Sequence, residues 1–198
     1  MKKSFKYLIT FIAIVSVANL AYSNDTLSIK EKSWYVPDYA KLQFAGNIGF
    51  LSFGIGYELF KKHLQSDIFY GYVPNFIGGA TIHTISQKNT FVLYEYERNR
   101  YIISPTAGFS TNFETGNNSF LLLPDKYPKG YYLTNAIHFT LFIGGKIHWA
   151  PKKQSKIKGL DFYVELGTVG TYLWYKILSK EIKMKDISSL ALGITTFF

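Results

Sequence analysis

The end of the chain constrains its fold more than any other stretch. Residues 187–198 read ISSLALGITTFF and stop on an aromatic. Counting back from Phe198 in steps of two gives Thr196, Ile194, Leu192, Leu190 and Ser188, and the other register gives Phe197, Thr195, Gly193, Ala191 and Ser189. One face is mostly large and apolar and the other mostly small, which is the period of a strand and not of a helix. In a water-soluble sheet the small, partly polar face would look outward. In a membrane barrel the apolar face meets lipid and the small face lines a narrow lumen.

The front of the chain fixes a route. Residues 1–23 read MKKSFKYLITFIAIVSVANLAYS: a basic start (Lys2, Lys3, Lys6), an apolar core and small residues at Ala21 and Ser23. That is the pattern of a cleaved signal peptide, and it leaves residues 24–198 as a single domain. The apolar run is shorter than the ~20 residues a spanning helix needs. The chain has no cysteine, which excludes a lipoprotein anchor and any disulfide, so packing and hydrogen bonding must hold the fold. It is also rich in aromatics, with 17 Phe, 16 Tyr and 3 Trp against a charged fraction of only 18%. A secreted chain of this kind with no spanning helix is expected to be an all-β, antiparallel transmembrane barrel of about eight strands, the smallest closed size commonly seen.

The segments between support that reading. Residues 41–60 alternate well in their second half (Leu51, Phe53, Ile55, Tyr57 and Leu59 against Ser52, Gly54, Gly56 and Glu58) and are long enough for a hairpin turning near Gly46-Asn47. Strands are predicted over 64–73, over 81–93 with poor alternation, and over 100–112, where Pro105 must remove one ladder bond. Further strands follow over 132–149 and 160–168. Between them lie short charged turns at 61–63, 94–99 and 151–159, and longer connections at 74–79, 113–131 and 170–186. The last of these includes an amphipathic stretch, 172–186, readable as helix or strand outside a membrane. Short and long connections alternate as in outer-membrane barrels, with the short turns periplasmic and the long loops outside.

The terminal segment resembles the C-terminal assembly signal of Gram-negative outer-membrane barrels, which alternates apolar residues and ends on an aromatic. Gly193 and Phe198 fit it; Ala191 and Thr196 depart from it. The runs AGNIGFLSFGIGY (45–57), YGYVPNFIGG (70–79) and LPDKYPKGYY (123–132) resemble a set of small outer-membrane barrels of Gram-negative bacteria to which no activity is assigned. The resemblance implies a fold, a location in the outer membrane, and handling by the outer-membrane assembly machinery.

Chemistry is sparser. The net charge of +9 becomes +6 once the three leader lysines leave, and the lysines cluster in turns and in the last loop, where they either keep the loops solvated, the commoner case, or contact outer-membrane lipid headgroups and lipopolysaccharide phosphates. No nucleic-acid module is present, and none is expected in a secreted chain. Alternation places Glu58, Asp67, His138, Asp161 and Glu165 in the lumen, with Arg100, Lys146, His138 or tyrosine hydroxyls as partners, because a narrow barrel is filled by its side chains. The alternative is a membrane-embedded hydrolase of lipid A or phospholipid. His138-Phe139-Thr140 resembles the His-x-Ser of lipid A deacylases, with threonine in place of serine and the flanking Ser-Asn motif missing. The resemblance implies His138, Thr140 and Glu165 as catalytic candidates. His83-Thr84 is a weaker match. His63, His83, His138 and His148 lack metal-ligand spacing, and no phosphate-binding glycine loop occurs, so neither metal nor cofactor is expected. A passive channel conflicts with the low strand count. The expectation is therefore a monomeric barrel with a structural or surface-interaction role, its outer loops free to bind an extracellular ligand, with 123–130 the proline-constrained candidate.

Overall fold

Alternating segments of the chain pair into one continuous antiparallel sheet that closes on itself. The computed structural model describes residues 33, 35–116, 136–151, 158–178 and 181–198, and Pro37–Phe198 forms a unit of its own. The expected signal peptide, the loop 123–130 and most of the turn 151–159 lie outside the described residues. The strands are β1 (Tyr39–Ala45), β2 (Leu51–Leu59), β3 (Leu64–Val73), β4 (Ile82–Val92), β5 (Tyr96–Arg98), β6 (Tyr101–Thr115), β7 (Ile137–Trp149), β8 (Gly159–Val169) and β9 (Ser188–Phe197). Neighbours around the wall run β4-β3-β2-β1-β9-β8-β7-β6, and β6 returns to β4. The result is a closed eight-stranded barrel, with β5 a short appendage hydrogen-bonded to the start of β6.

The joint that closes the wall pairs the first strand with the last, from Tyr39 opposite Phe197 to Ala45 opposite Ala191. The hairpin at Gly46 is confirmed, and its first strand is short, at seven residues. Both termini of the barrel therefore sit at one end, together with the turns at 60–63 and 93–100. The opposite end carries 46–50, 74–81, 170–178 and 181–187. Pro105 faces outward opposite Gly145, and its carbonyl still accepts from Leu93 N–H at 3.1 Å.

Two segments differ from the reading of the sequence, and a third takes one of the two forms that reading left open. The turn at 94–99 contains β5, because Asn99 takes a left-handed conformation (φ 57°) and folds Tyr96–Arg98 back on Tyr101–Ile103. Strand β6 continues to Thr115 through residues assigned to a loop, since Phe113 finds partners in both Ile85 and Ile137. The excursion after β8 is helical: α2 (Gly170–Leu178) and the single turn α3 (Met184–Ile187) follow α1 (Asn75–Gly78). Among the described residues no helix is long and apolar enough to cross a membrane, a statement that does not bear on strands.

The β1–β2 turn does not stand out from the barrel. Ala45 and Gly46 take positive φ (59° and 85°), which tucks the turn inward until Ile48 is only 4% exposed. Phe50 then resumes the ladder through its N–H to Tyr72 O at 3.0 Å. Room for this plug comes from glycine on the facing walls. A Cβ on Gly71 would collide with the Ile48 carbonyl, and one on Gly167 would lie 2.8 Å from Asn47 Nδ2. Gly145, on the outer wall, has nothing nearer to a Cβ than Ser104 O at 3.7 Å. Gly71→Ala should therefore displace the plug and cost about 1–3 kcal/mol in urea unfolding, the usual range for overpacking, whereas Gly145→Ala should leave the midpoint within about 0.5 kcal/mol of the parent.

Candidate functional site

Period two sends alternate residues into the lumen, and the polar ones meet there. From β1 come Lys41 and Gln43, from β3 Gln65 and Asp67, from β4 Lys88, and from β8 Asp161, Tyr163 and Glu165; all are buried. Lys88 Nζ lies 2.6 Å from Glu165 Oε2 and 2.9 Å from Gln43 Oε1, and Tyr163 OH donates to the same Gln43 oxygen at 3.3 Å. Lys41 Nζ donates to Asp67 Oδ2 and to Gln65 Oε1, both at 3.0 Å. Nearer the terminus-bearing end, Asp161 bridges Lys146 Nζ at 3.2 Å and His148 Nδ1 at 2.5 Å.

Each of the two deepest lysines combines a carboxylate, an amide oxygen and aromatic faces. Lys88 Nζ is 4.8 Å from the Phe142 ring centre, 5.2 Å from Tyr163 and 5.4 Å from Phe69. Lys41 Nζ is 4.9 Å from the Tyr39 ring and 5.8 Å from Tyr163. These contacts replace part of the hydration a buried ammonium gives up. The pairs also join distant strands, since Lys88 on β4 reaches Glu165 on β8 across the lumen. The space remaining above them, about 20 Å³ between Gln43, Asn47, Lys88, Thr140 and Glu165, holds no more than about one water. This lumen is a packed interior, capped by the plug.

The residues expected in the lumen do not form one site. Asp67, Asp161 and Glu165 each take a separate cation. Glu58 is half-buried at the terminus-bearing end and accepts no share of the central network; its backbone N–H donates to Asp38 Oδ2 at 2.8 Å. With Asp38, Lys146, His148 and Phe197 it lines an open vestibule of about 460 Å³. Arg100 sits in the exposed turn before β6 and not in the lumen, because the strand starts one residue later; the cations inside are Lys41, Lys88 and Lys146. His138 lies at the other end, its Nε2 3.5 Å from Glu114 Oε2.

The hydrolase candidates are each engaged by other partners. Thr140 is 2% exposed and its hydroxyl accepts a hydrogen bond from Asn112 Nδ2 at 2.9 Å. Glu165 is engaged by Lys88. Among the described residues, no three His, Asp or Glu side chains are grouped so as to hold a metal ion. His83 takes neither role; it sits on the outer wall with its Nδ1 2.6 Å from Tyr70 OH. Comparison with protein-family models, with curated proteins and with solved structures gives no match, so these geometries carry the reading by themselves.

Lys41 and Lys88 were missed by sequence reasoning. The signal for Lys88 was its place in the inward series Thr84, Ser86, Lys88, Thr90, but polar residues on the other face of β4 hid the alternation. Removing one partner of a buried pair strands the other charge, at a cost of about 3–5 kcal/mol. Lys88→Met should lose that much in denaturant unfolding, and Lys88→Met combined with Glu165→Gln should recover most of it. A double variant no more stable than the single one would mean that the Lys88–Glu165 contact contributes little.

Proposed function

We propose that this chain is an outer-membrane β-barrel of a Gram-negative bacterium, delivered by a cleaved signal peptide over residues 1–23, with a structural and surface-interaction role carried by the loops at the end away from its termini. The observation behind this reading is the inversion of the wall. Phe53, Ile68 and Ile143 are 54%, 63% and 65% exposed, while Lys88 and Asp67 are 1% exposed. The outward apolar residues continue around the barrel, from Leu42 and Phe44 on β1 to Leu192 and Ile194 on β9. A water-soluble monomer rarely leaves a contiguous apolar patch beyond a few hundred Å², and a lipid surround removes that penalty. Strands of nine to eleven residues in β2, β3, β4, β8 and β9 suit the roughly 9–11 residues a tilted membrane strand needs.

The even strand number and the short turns beside the termini favour a periplasmic position for that end. The far end then meets the outer leaflet. There α2 exposes Tyr172, Trp174 and Tyr175 near Lys176, Lys183 and Lys185, a mixture suited to the boundary of anionic lipids and lipopolysaccharide. Gly193 and Phe198 would serve recognition by the assembly machinery. The hydrolase alternative gains no support from the arrangement of His138, Thr140 and Glu165, and a lumen this full does not favour a channel.

The test compares cells with and without the protein, reading heat-modifiable gel mobility in membrane fractions beside lipid A and phospholipid mass spectra. The expected result is a mobility shift with unchanged lipids. A changed acyl profile would replace the interaction role with lipid hydrolysis, and the absence of a shift in a folded, membrane-extracted sample would overturn the barrel reading.

A further inference from the structure

The outer wall carries one polar interruption. On β4 the outward positions are His83, Ile85, Gln87, Asn89 and Phe91, so the two amides lie midway along the strand. In a membrane barrel midway is the middle of the hydrocarbon, where lipid offers no hydrogen-bond partner. Register sets Ser66 of β3 opposite Asn89, and Thr111 of β6 opposite Gln87. The four make a polar island, framed on the same face by Ile68, Ile85, Phe91 and Phe109.

The island is partly self-satisfied. Gln87 Nε2 donates to Asn89 Oδ1 at 2.9 Å, and Asn89 Nδ2 donates back to Gln87 Oε1 at 3.0 Å. The other N–H of Gln87 reaches Ser66 Oγ at a long 3.4 Å. A primary amide offers two donor hydrogens and two acceptor lone pairs. Beyond these bonds Asn89 keeps an N–H, and each amide oxygen keeps a lone pair. Donor and acceptor capacity therefore sit on one patch, and an identical patch across a twofold axis supplies what each lacks. An acyl chain supplies neither. Ser66 and Thr111 are small, which lets two walls approach closely, as small residues do between spanning helices.

We propose that this island is the contact surface of a homodimer, in which two copies of the chain oppose their β3–β4–β6 walls amide against amide, with the apolar frame excluding lipid from the centre. The contact is isologous, since each copy presents the same donors and acceptors. It rests on the membrane reading above, because in water solvent would satisfy the same groups, and it departs from the monomer expected of the sequence.

The chain has no cysteine, so single cysteines report the contact cleanly. Ile85→Cys lies on the island's frame; Leu192→Cys lies on β9, on the diametrically opposite wall. Both proteins are folded into phosphatidylcholine vesicles at low protein-to-lipid ratio, floated on a density gradient and oxidised. The expected result is a disulfide-linked dimer from Ile85→Cys at several times the yield from Leu192→Cys. In addition, Gln87→Leu with Asn89→Leu in the Ile85→Cys background should lower the dimer yield about tenfold while heat-modifiable mobility is retained. Equal yields from the two cysteines, a floated and folded barrel that stays monomeric, or an undiminished dimer in the double-leucine variant would each overturn the proposal alone. A folded barrel that does not float with the vesicles overturns the membrane reading, and the dimer with it.

Discussion

The hydrogen-bonded joint between Tyr39–Ala45 and Ala191–Phe197 is what the rest of the structure depends on. Without it the eight strands form an open sheet with two unpaired edges, and the inward face of every strand is wet. With it, each edge is consumed and the lumen becomes an interior. Tyr39 marks the joint: it is fully buried and its ring lies 5.3 Å from that of Phe197. The partners come from opposite ends of the barrel sequence, so closure carries the largest loop entropy of any pairing in the wall. A short first strand limits this joint to seven paired positions, and the strong alternation of β9 offsets that by giving one register in which Leu190, Leu192 and Ile194 all face out.

Closure in turn makes the buried charges tolerable. Replacing a buried ion pair with apolar residues of the same volume is often neutral or stabilising, so Lys41–Asp67 and Lys88–Glu165 are poor candidates for sources of stability. Their effect on register is more direct. A slip of one residue in β4 would carry Lys88 to the apolar outer wall and leave Glu165 without its cation, and a slip in β3 would do the same to Asp67 and Lys41. Because Gln43 receives Lys88 and Tyr163 together, β1, β4 and β8 are fixed against one another across the lumen. The network thus penalises wrong pairings more than it stabilises the right one.

Most of the wall was legible in the sequence because alternation is a local property. The strands over 51–59, 64–73, 160–168 and 188–197, and the hairpin at Gly46, could be read from period two and turn residues alone. What stayed hidden depends on which strands face one another across the barrel. Glu165 was identified as inward, but that its partner would be Lys88 follows from the closed order of strands and from no feature of either segment. Arg100 would face the lumen only if the strand included it; β6 begins at Tyr101, and Arg100 lies in the exposed turn before it. Strand β4 alternates poorly for a physical reason: Gln87 and Asn89 take outward positions in mid-strand, beside Ser66 and Thr111 of the flanking strands, so that polar residues stand on both of its faces.

That same anomaly bears on where a barrel of this kind can act. The lumen is closed by Ile48 and Asn47 at one end and filled below by paired charges. Gly71 and Gly167 bring the facing walls close enough to hold the turn in place, so passage through the centre would require unseating a packed element. The surfaces left to meet other molecules are the vestibule lined by Glu58 and His148, the helical far end, and the wall. In the proposed membrane placement the first two would meet water and could carry polar groups at little cost. A polar island on the wall is different in kind under the proposed membrane placement, because in hydrocarbon every unmade hydrogen bond at Gln87 and Asn89 would cost free energy. On the proposed membrane reading an uncovered island would be a standing penalty in a structure that otherwise segregates polar and apolar residues strand by strand, and this contrast is what makes the wall the surface for the proposed partner.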